Sequence, residues 1–590
     1  MNSLAILIVA LNLQAAEDGA ALYKQHCETC HKNPPVNRAP LLESLSKLPK
    51  DYIVLSLERG SMREQGAALN ADQKIAVAEF ISRAVKVDMT AGACAPDHQT
   101  RTDSSFWMGW GVDERNTRFQ PAKMAGLTAD QVPKLELKWA FGFPNASAAY
   151  AQPVIAGGKM YFGSQDGTLY AADARTGCIF WTFRALATIR TAVTLATVGH
   201  ARQAILFGDS QAVVYAVDAK DGKRIWDIKL DDHPVARITG APKLHGSRLY
   251  VPVSSIEEVT GGGPKYECCK FRGSVAAIDI ESGKLLWKTH TIPEEPKPIR
   301  KNAEGTQLYG PSGAAIWLSP TLDLKKRLLY VGTGNAYSDP ETKYSDAVIA
   351  MDMDTGKHRW VHQLTGRDGW NFACVSPNRA NCPEAAGPDV DIGSSPILTS
   401  LAGGKRALIV GQKSGIVHAL DPDQDGKILW QTRIGAGGAL GGVMWGMAAD
   451  EEMVYAALSD IHKRAESGGL FAIRLRDGEK IWYAAPEKPA CLGKFGCSPA
   501  QLAPVSVIAG VVFSGSMDGV MRAFDSKTGK IIWRYDTLRE FETVNGVKAK
   551  GGSMNATGAV SAGGMLYMNS GYGVLGGMAG NVLLAFAPAP

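Results

Sequence analysis

Residues 27 to 31 read CETCH. Cys27 and Cys30 stand at the spacing that lets two thiols bond to the two vinyl groups of one haem, and His31 follows directly as an axial iron ligand. A zinc site or a dithiol redox pair is the competing use of CxxC. Zinc needs a second ligand pair nearby, however, and the next cysteine is Cys94. The pentapeptide predicts a covalent haem c and a chain that moves electrons. The sixth iron ligand is expected from the loop before the last helix of this region, where SMREQG offers Met62; Met89, beyond that helix, is its rival.

The elements that must hold this haem are helical. DGAALYKQHC leads into the motif, DYIVLSLERG follows, and NADQKIAVAEFISRAV closes the segment, starting at Asn70 or Ala71 with Ile75, Val77, Ala78, Phe80 and Ile81 as its apolar face. Residues 17–90 are read as a small cytochrome c domain and 1–16 as a secretory signal, apolar from Leu4 to Leu13 with Ala15 and Ala16 at the cleavage end. No Lys or Arg precedes the apolar run, which is also too short to span a bilayer. Haem attachment and ten cysteines both fit export to an oxidising periplasm. The close pairs Cys374/Cys382 and Cys491/Cys497 are spaced to close short loops, which leaves Cys94 with Cys178 by elimination. With 63 basic against 58 acidic residues, the net charge of +5 provides no basic field, and no partnership with nucleic acid is expected.

After a linker and lead-in at 91–130, the grammar changes to short glycine-punctuated strands. DGTLYAADARTGCIFW ends at Trp181, and the same pattern recurs to Trp226, Trp287, Trp360, Trp430, Trp482 and Trp533. Each copy is a strand, an Asp/Gly turn and a second strand closed by Trp. Repeats of this kind predict a β-propeller over 131–590. LELKWAF, ending at Phe141, and the C-terminal NVLLAFAP each supply half of one more copy, so eight blades are expected, with both chain ends sharing the last.

The core AxDxxTGxxxW resembles the quinoprotein dehydrogenase propeller, which carries pyrroloquinoline quinone and calcium on its axis. A cytochrome c placed before the propeller looks most like the polyvinyl alcohol dehydrogenases. The resemblance implies roles for several residues in the inserts. GPSGAAIWLSPTLDLKKRLLYVGTGN would place Trp317 flat against the quinone and Asn335 on calcium. ITGAPKLHGSRLYVPVSSIEE implies Thr239 and Ser254 as donors to the cofactor and Glu257 as a calcium ligand, with Glu258 its rival. Arg190 would hold a cofactor carboxylate, and Lys413 would polarise the reactive carbonyl. Cys268 and Cys269 match, by role, the family's disulfide between adjacent cysteines beside the quinone.

In one place the chain departs from the family. HQLTGRDGWNFAC puts Asn371 where the family has an aspartate that acts as base and touches calcium. An amide ligates calcium but takes no proton, so Asp368, Asp389 and Asp391 are the substitutes for the base. The resemblance implies a periplasmic enzyme that oxidises secondary alcohols or polyvinyl alcohol, passing electrons through haem c to an external acceptor such as a soluble cytochrome. A cofactor-free scaffold propeller and a quinoprotein sugar dehydrogenase are the alternatives.

Overall fold

The computed structural model describes residues 18–31, 42–46, 50–59, 62–82, 91–101, 104–199, 201–463 and 467–589. The expected signal at 1–16 and the rival ligand Met89 lie outside them. Two compact units divide the chain, 1–89 and 90–590.

In the first unit, helix Gly19–His26 is capped by the Asp18 side chain, which accepts from the Ala20 amide. Helix Ala71–Ile81 starts with a capping box, in which Asn70 accepts from the Gln73 amide and Gln73 from the Asn70 amide. The helices share a core of Tyr23, Ile53, Leu57, Leu69, Val77, Ala78 and Ile81. Ile75, expected on the buried face, is exposed instead.

The second unit is a propeller of eight sheets, each with at least four strands. The middle strands of a blade are apolar throughout because neighbouring blades cover both faces: every residue of Thr168–Asp173 is buried, whereas the outer strand Ile179–Arg184 is half-buried. Ring closure follows the expected route, with Leu135–Gly142 pairing antiparallel with Val582–Pro588 so that the chain ends share one blade. Residues 91–130, read as linker and lead-in, belong to the propeller. Phe106–Trp107 adds a strand to the first blade, and Phe119–Gln120 pairs in parallel with Ser506–Ile508.

The repeated sentence has a mechanical reading. Its Asp caps the turn: Asp352 accepts from the amides of Asp354 and Thr355, and Asp525 from those of Lys527 and Thr528. Its Gly takes a left-handed conformation, φ +74° at Gly222, with the Trp181 ring of the preceding blade directly beneath. A Cβ on Gly222 would lie 2.5 Å from that ring, so both the turn and the packing require glycine. Trp181 Nε1 also donates to the Ala219 carbonyl, and the pattern repeats for Trp226 on Ile280, Trp430 on Leu475 and Trp482 on Ser526. Trp533 completes the circle by donating to the Leu135 carbonyl. Trp287 and Trp360 make no such bond among the described residues and meet the next blade by packing on Gly356 and Gly426.

Candidate functional site

In each blade the turn after the first strand and the Asp/Gly turn lie on one face of the ring. The loops after the second strand and those between blades emerge on the other. Arg190, Thr239, Glu258, Trp317, Asn335, Asp391 and Lys413 all stand in loops of this second kind or at their edges. The topology therefore gathers on one face residues that are far apart in sequence.

A small cavity there is lined by Trp110, Arg190, Thr239, Trp317, Trp445 and Ala556, among others. Trp317 meets Trp445 edge to face, with ring centroids 5.0 Å apart. Arg190 lies 4.4 Å over the Trp445 ring and donates to the Tyr572 hydroxyl at 3.2 Å. The Thr239 hydroxyl donates to the Trp317 carbonyl. Ser254 is buried in the strand Arg248–Ser255, opposite Arg237. A wider surface groove, which includes Glu540, Lys548 and Asn581, holds none of these residues.

Beside the cavity is a buried charge cluster. The Trp317 indole donates to Asp391 Oδ2 at 3.1 Å, and the Asn335 amide donates to Asp391 Oδ1 at 3.2 Å. Lys413 Nζ lies 2.5 Å from Asp389 Oδ1 and 3.5 Å from Asp391 Oδ2. Burial would lower the Lys413 pKa, but the two carboxylates outweigh it and hold the ammonium charged. Asp389 also accepts from the Asn335 side chain; burial pushes its pKa up to about 7 although Lys413 opposes the rise. Asp346 is fully buried with neither carboxylate oxygen hydrogen-bonded among the described residues, and burial and the neighbouring acids raise its pKa well above the usual range.

Two expected ligands are occupied elsewhere. Glu257 accepts from the amides of Lys270 and Phe271 and from the Tyr266 hydroxyl, so its carboxylate fastens the turn after the cysteine pair. Its rival Glu258 faces Tyr337 and Asp391, has a buried oxygen without a partner, and is pushed up to about 7 by burial first and the charge of Asp391 next. Asn371 is engaged by the protein itself. Its oxygen caps the turn Phe372–Val375 through the Ala373 amide, and its NH2 donates to the carbonyls of Tyr337 and Asn381. Asp368 is likewise committed, accepting from the amides of Asp389 and Val390 and thereby shaping the loop that carries Asp389 and Asp391. Of the three substitutes for the base, Asp391 is the one bonded to Trp317.

The cysteines pair as expected: Cys94–Cys178, Cys374–Cys382 and Cys491–Cys497, with Cys268 joined to its neighbour Cys269 in a buried position. The two free thiols are Cys27 and Cys30. His31 is buried at the end of the short helix Glu28–His31, and Cys27 and Met62 pack against the same helical core. A thiol pair left out of every disulfide, next to a buried histidine, fits covalent haem. The aromatic lining and the Arg190 guanidinium suit a flat anionic quinone in kind. Unpartnered buried oxygens on Glu258 and Asp346, in a cluster whose one lysine cannot balance its acids, fit a cation. Sequence reasoning missed Trp445, which lies in an insert, and Asp346, which stands at the repeat position filled elsewhere by Gly167, Gly415 and Gly519; both carry positive φ, 60° and 48°.

Comparison with known proteins agrees with this geometry. Residues 107–436 match the family described as glucose/ethanol/alcohol dehydrogenase, β-propeller domain, and 14–81 match cytochrome c oxidase, cbb3-type, subunit III. Residues 345–580 also match the outer membrane protein assembly factor BamB family. The fold is that of solved quinohaemoprotein alcohol dehydrogenases: ADHIIG from Pseudomonas putida HK5 aligns with a TM-score of 0.62 at 18% identity, covering 82% of each chain. The protein is thus a quinoprotein dehydrogenase propeller joined to a c-type cytochrome. A polyvinylalcohol dehydrogenase from Pseudomonas sp is 40% identical over 97% of this chain and 93% of its own length, and another from Sphingopyxis sp. (strain 113P3) is 39% identical over 97% and 92%. The chain belongs to this family of pyrroloquinoline-quinone-dependent alcohol dehydrogenases with a cytochrome c domain.

Proposed function

We propose that the protein is a periplasmic quinohaemoprotein that oxidises secondary alcohols, polyvinyl alcohol among them, with Asp391 as the catalytic base. The observation that carries this reading is the convergence of the Trp317 indole, the Asn335 amide and Lys413 on the Asp391 carboxylate. When bound, the quinone, with calcium as Lewis acid, supplies the two-electron acceptor, and haem c takes the electrons singly for an external carrier such as a soluble cytochrome. Trp317 and Trp445 provide an apolar enclosure, and Arg190 and Thr239 are the residues to hold cofactor carboxylates. Glu258, Asn335 and Asp391 would hold calcium, with Asp346 adding negative charge nearby. Asp391 accepts the substrate hydroxyl proton at a carboxylate oxygen. Lys413, kept protonated by Asp389, places positive charge where an oxyanion develops. Cys27 and Cys30 would anchor the haem, and His31 and Met62 would ligate its iron.

A chain of relatives named for an alcohol polymer, similar along nearly their whole length, favours this reading over a scaffold or a sugar dehydrogenase. The test is reconstitution of the exported protein with pyrroloquinoline quinone and calcium, following haem reduction by isopropanol, polyvinyl alcohol and aldoses. Reduction by the alcohols and not by aldoses, abolished by a chelator, is expected. Aldose-driven reduction alone, or none with any substrate, overturns the reading.

A further inference from the structure

The lead-in strand circles the inside of the ring. After Phe106–Trp107 has joined the first blade, the carbonyls of Asp113, Glu114, Arg115, Thr117 and Arg118 accept in turn from Lys243 Nζ and from the amides of Leu322, Leu398, Ala449 and Val507, each on the inner strand of a later blade. Gln120 then reaches the last blade through the Ser561 carbonyl. This path carries Arg118 to the interior, where it is 1% exposed.

The Arg118 guanidinium donates to the carbonyls of Trp110 and Val505 and to Gln152 Oε1, all of them neutral acceptors. Among the described residues no carboxylate pairs with it, and its Nη2 has no partner. Burial lowers its pKa to about 9, which leaves it charged at neutral pH. Lys243 is buried as well and donates to a carbonyl in place of a carboxylate; burial pushes it down to about 8, with Asp113 and Glu114 opposing the fall and Arg118 adding to it. An unpaired buried charge is costly, and a neutral donor could bond to neutral acceptors at a lower cost. The charge therefore has a use beyond its own hydrogen bonds.

Trp110 connects that charge to the cavity. Its indole is part of the cavity lining and lies 4.6 Å from the Arg118 guanidinium, centroid to Cζ, while its Nε1 is buried with no acceptor among the described residues. Two glycines keep the approach open. A Cβ on Gly446 would lie 3.7 Å from Arg118 Cδ, and one on Gly558 only 2.4 Å from Nη2. Gly446 follows Trp445 and Gly558 stands two residues after Ala556, and both of those neighbours line the same cavity.

We infer that Arg118 is a positioning residue for the quinone: its uncompensated charge, with that of Lys243 behind it, acts through the Trp110 wall to hold the anionic cofactor in the cavity. The inference rests on the quinone reading of the cavity and adds to Arg190 and Lys413 a cation that has no need to touch the cofactor. In an interior that screens poorly, a charge acts across an intervening ring.

Calorimetric titration of the full-length, haem-carrying protein freed of quinone, with pyrroloquinoline quinone added in saturating calcium, measures this without turnover. Arg118→Gln, which keeps a donor and loses the charge, should bind the quinone about tenfold more weakly. Arg118→Lys, which loses the fork of donors and keeps the charge, should stay within about threefold of wild type. Lys243→Met gives up one hydrogen bond and the second cation; it should weaken binding about threefold, and it carries the test if Arg118→Gln does not fold. Equal losses in the Gln and Lys variants would mean that Arg118 only fastens the lead-in, and wild-type affinity in Arg118→Gln, or in Lys243→Met where that variant stands in, overturns the inference alone. A wild type that takes up no quinone overturns the cavity reading and the inference with it.

Discussion

The two faces of the propeller solve opposite problems. On the face of the Asp/Gly turns one solution is repeated: an aspartate caps the turn, a glycine supplies the left-handed residue, and the preceding blade's tryptophan fills the space beneath it. On the other face the loops differ in length and sequence, and left-handed conformations fall on Ala314, Asp346, Asp389 and Trp445, where a side chain makes them costly. Buried carboxylates gather there as well, in an environment that penalises them. One face is optimised for stability and the other uses that stability to hold a strained, charged site. Substitutions should separate the two.

The largest effect on the frame is expected from Trp360→Ala, which removes a mostly buried indole packed on Gly426. Denaturant unfolding of the propeller should show a loss of about 4 kcal/mol with quinone binding retained. Trp317→Ala, on the other face, should do the reverse: quinone binding weakens about 100-fold, close to 3 kcal/mol, with little change in unfolding. If each variant altered both properties equally, the division between faces would be wrong.

His418 links the two regions, because its ring bonds to Gln412, the neighbour of Lys413, and to Gln431. Burial, and then the charges of His362 and Arg433, lower its pKa from 6.5 to about 4. The unfolded chain takes up a proton below 6.5 that the folded ring refuses, so the stability due to the neutral ring is complete above that pH and fades as pH falls toward 4. Between pH 7 and 4 the wild type should lose about 3 kcal/mol more than His418→Gln, measured by denaturant titration at each pH. The smallest effect belongs to Gly222→Ala, where the left-handed turn alone costs about 1 to 2 kcal/mol and contact with Trp181 adds to it. A thermal scan should show a lowered Tm and unchanged kcat.

What was legible in the sequence follows the same division. The blades, their number and their closure could be read because turn and tryptophan lie within one short repeat and each copy predicts the next. CETCH was legible for the same reason, as all its chemistry is local. The site was read in part. Trp317, Asn335 and Lys413 were named by resemblance, whereas Trp445 comes from an insert with no period to betray it and Asp346 occupies a repeat position that holds glycine or alanine in other copies. Glu257 and Glu258, adjacent in a short helix, point in different directions, and only the fold shows that Glu257 is the one that meets backbone amides. Asn371 looked like a ligand from its place in HQLTGRDGWNFAC. It is a turn cap, and Asp391, further along the same insert, holds the position beside Trp317.

The base assignment is therefore the point on which the account is most exposed. Stopped-flow mixing of the quinone- and calcium-loaded protein with isopropanol, following the haem absorbance, tests it directly. The account predicts rapid haem reduction in wild type and in Asn371→Ala, and reduction slowed about 10³-fold in Asp391→Asn with the quinone still bound. Haem reduction at the wild-type rate in Asp391→Asn would contradict it.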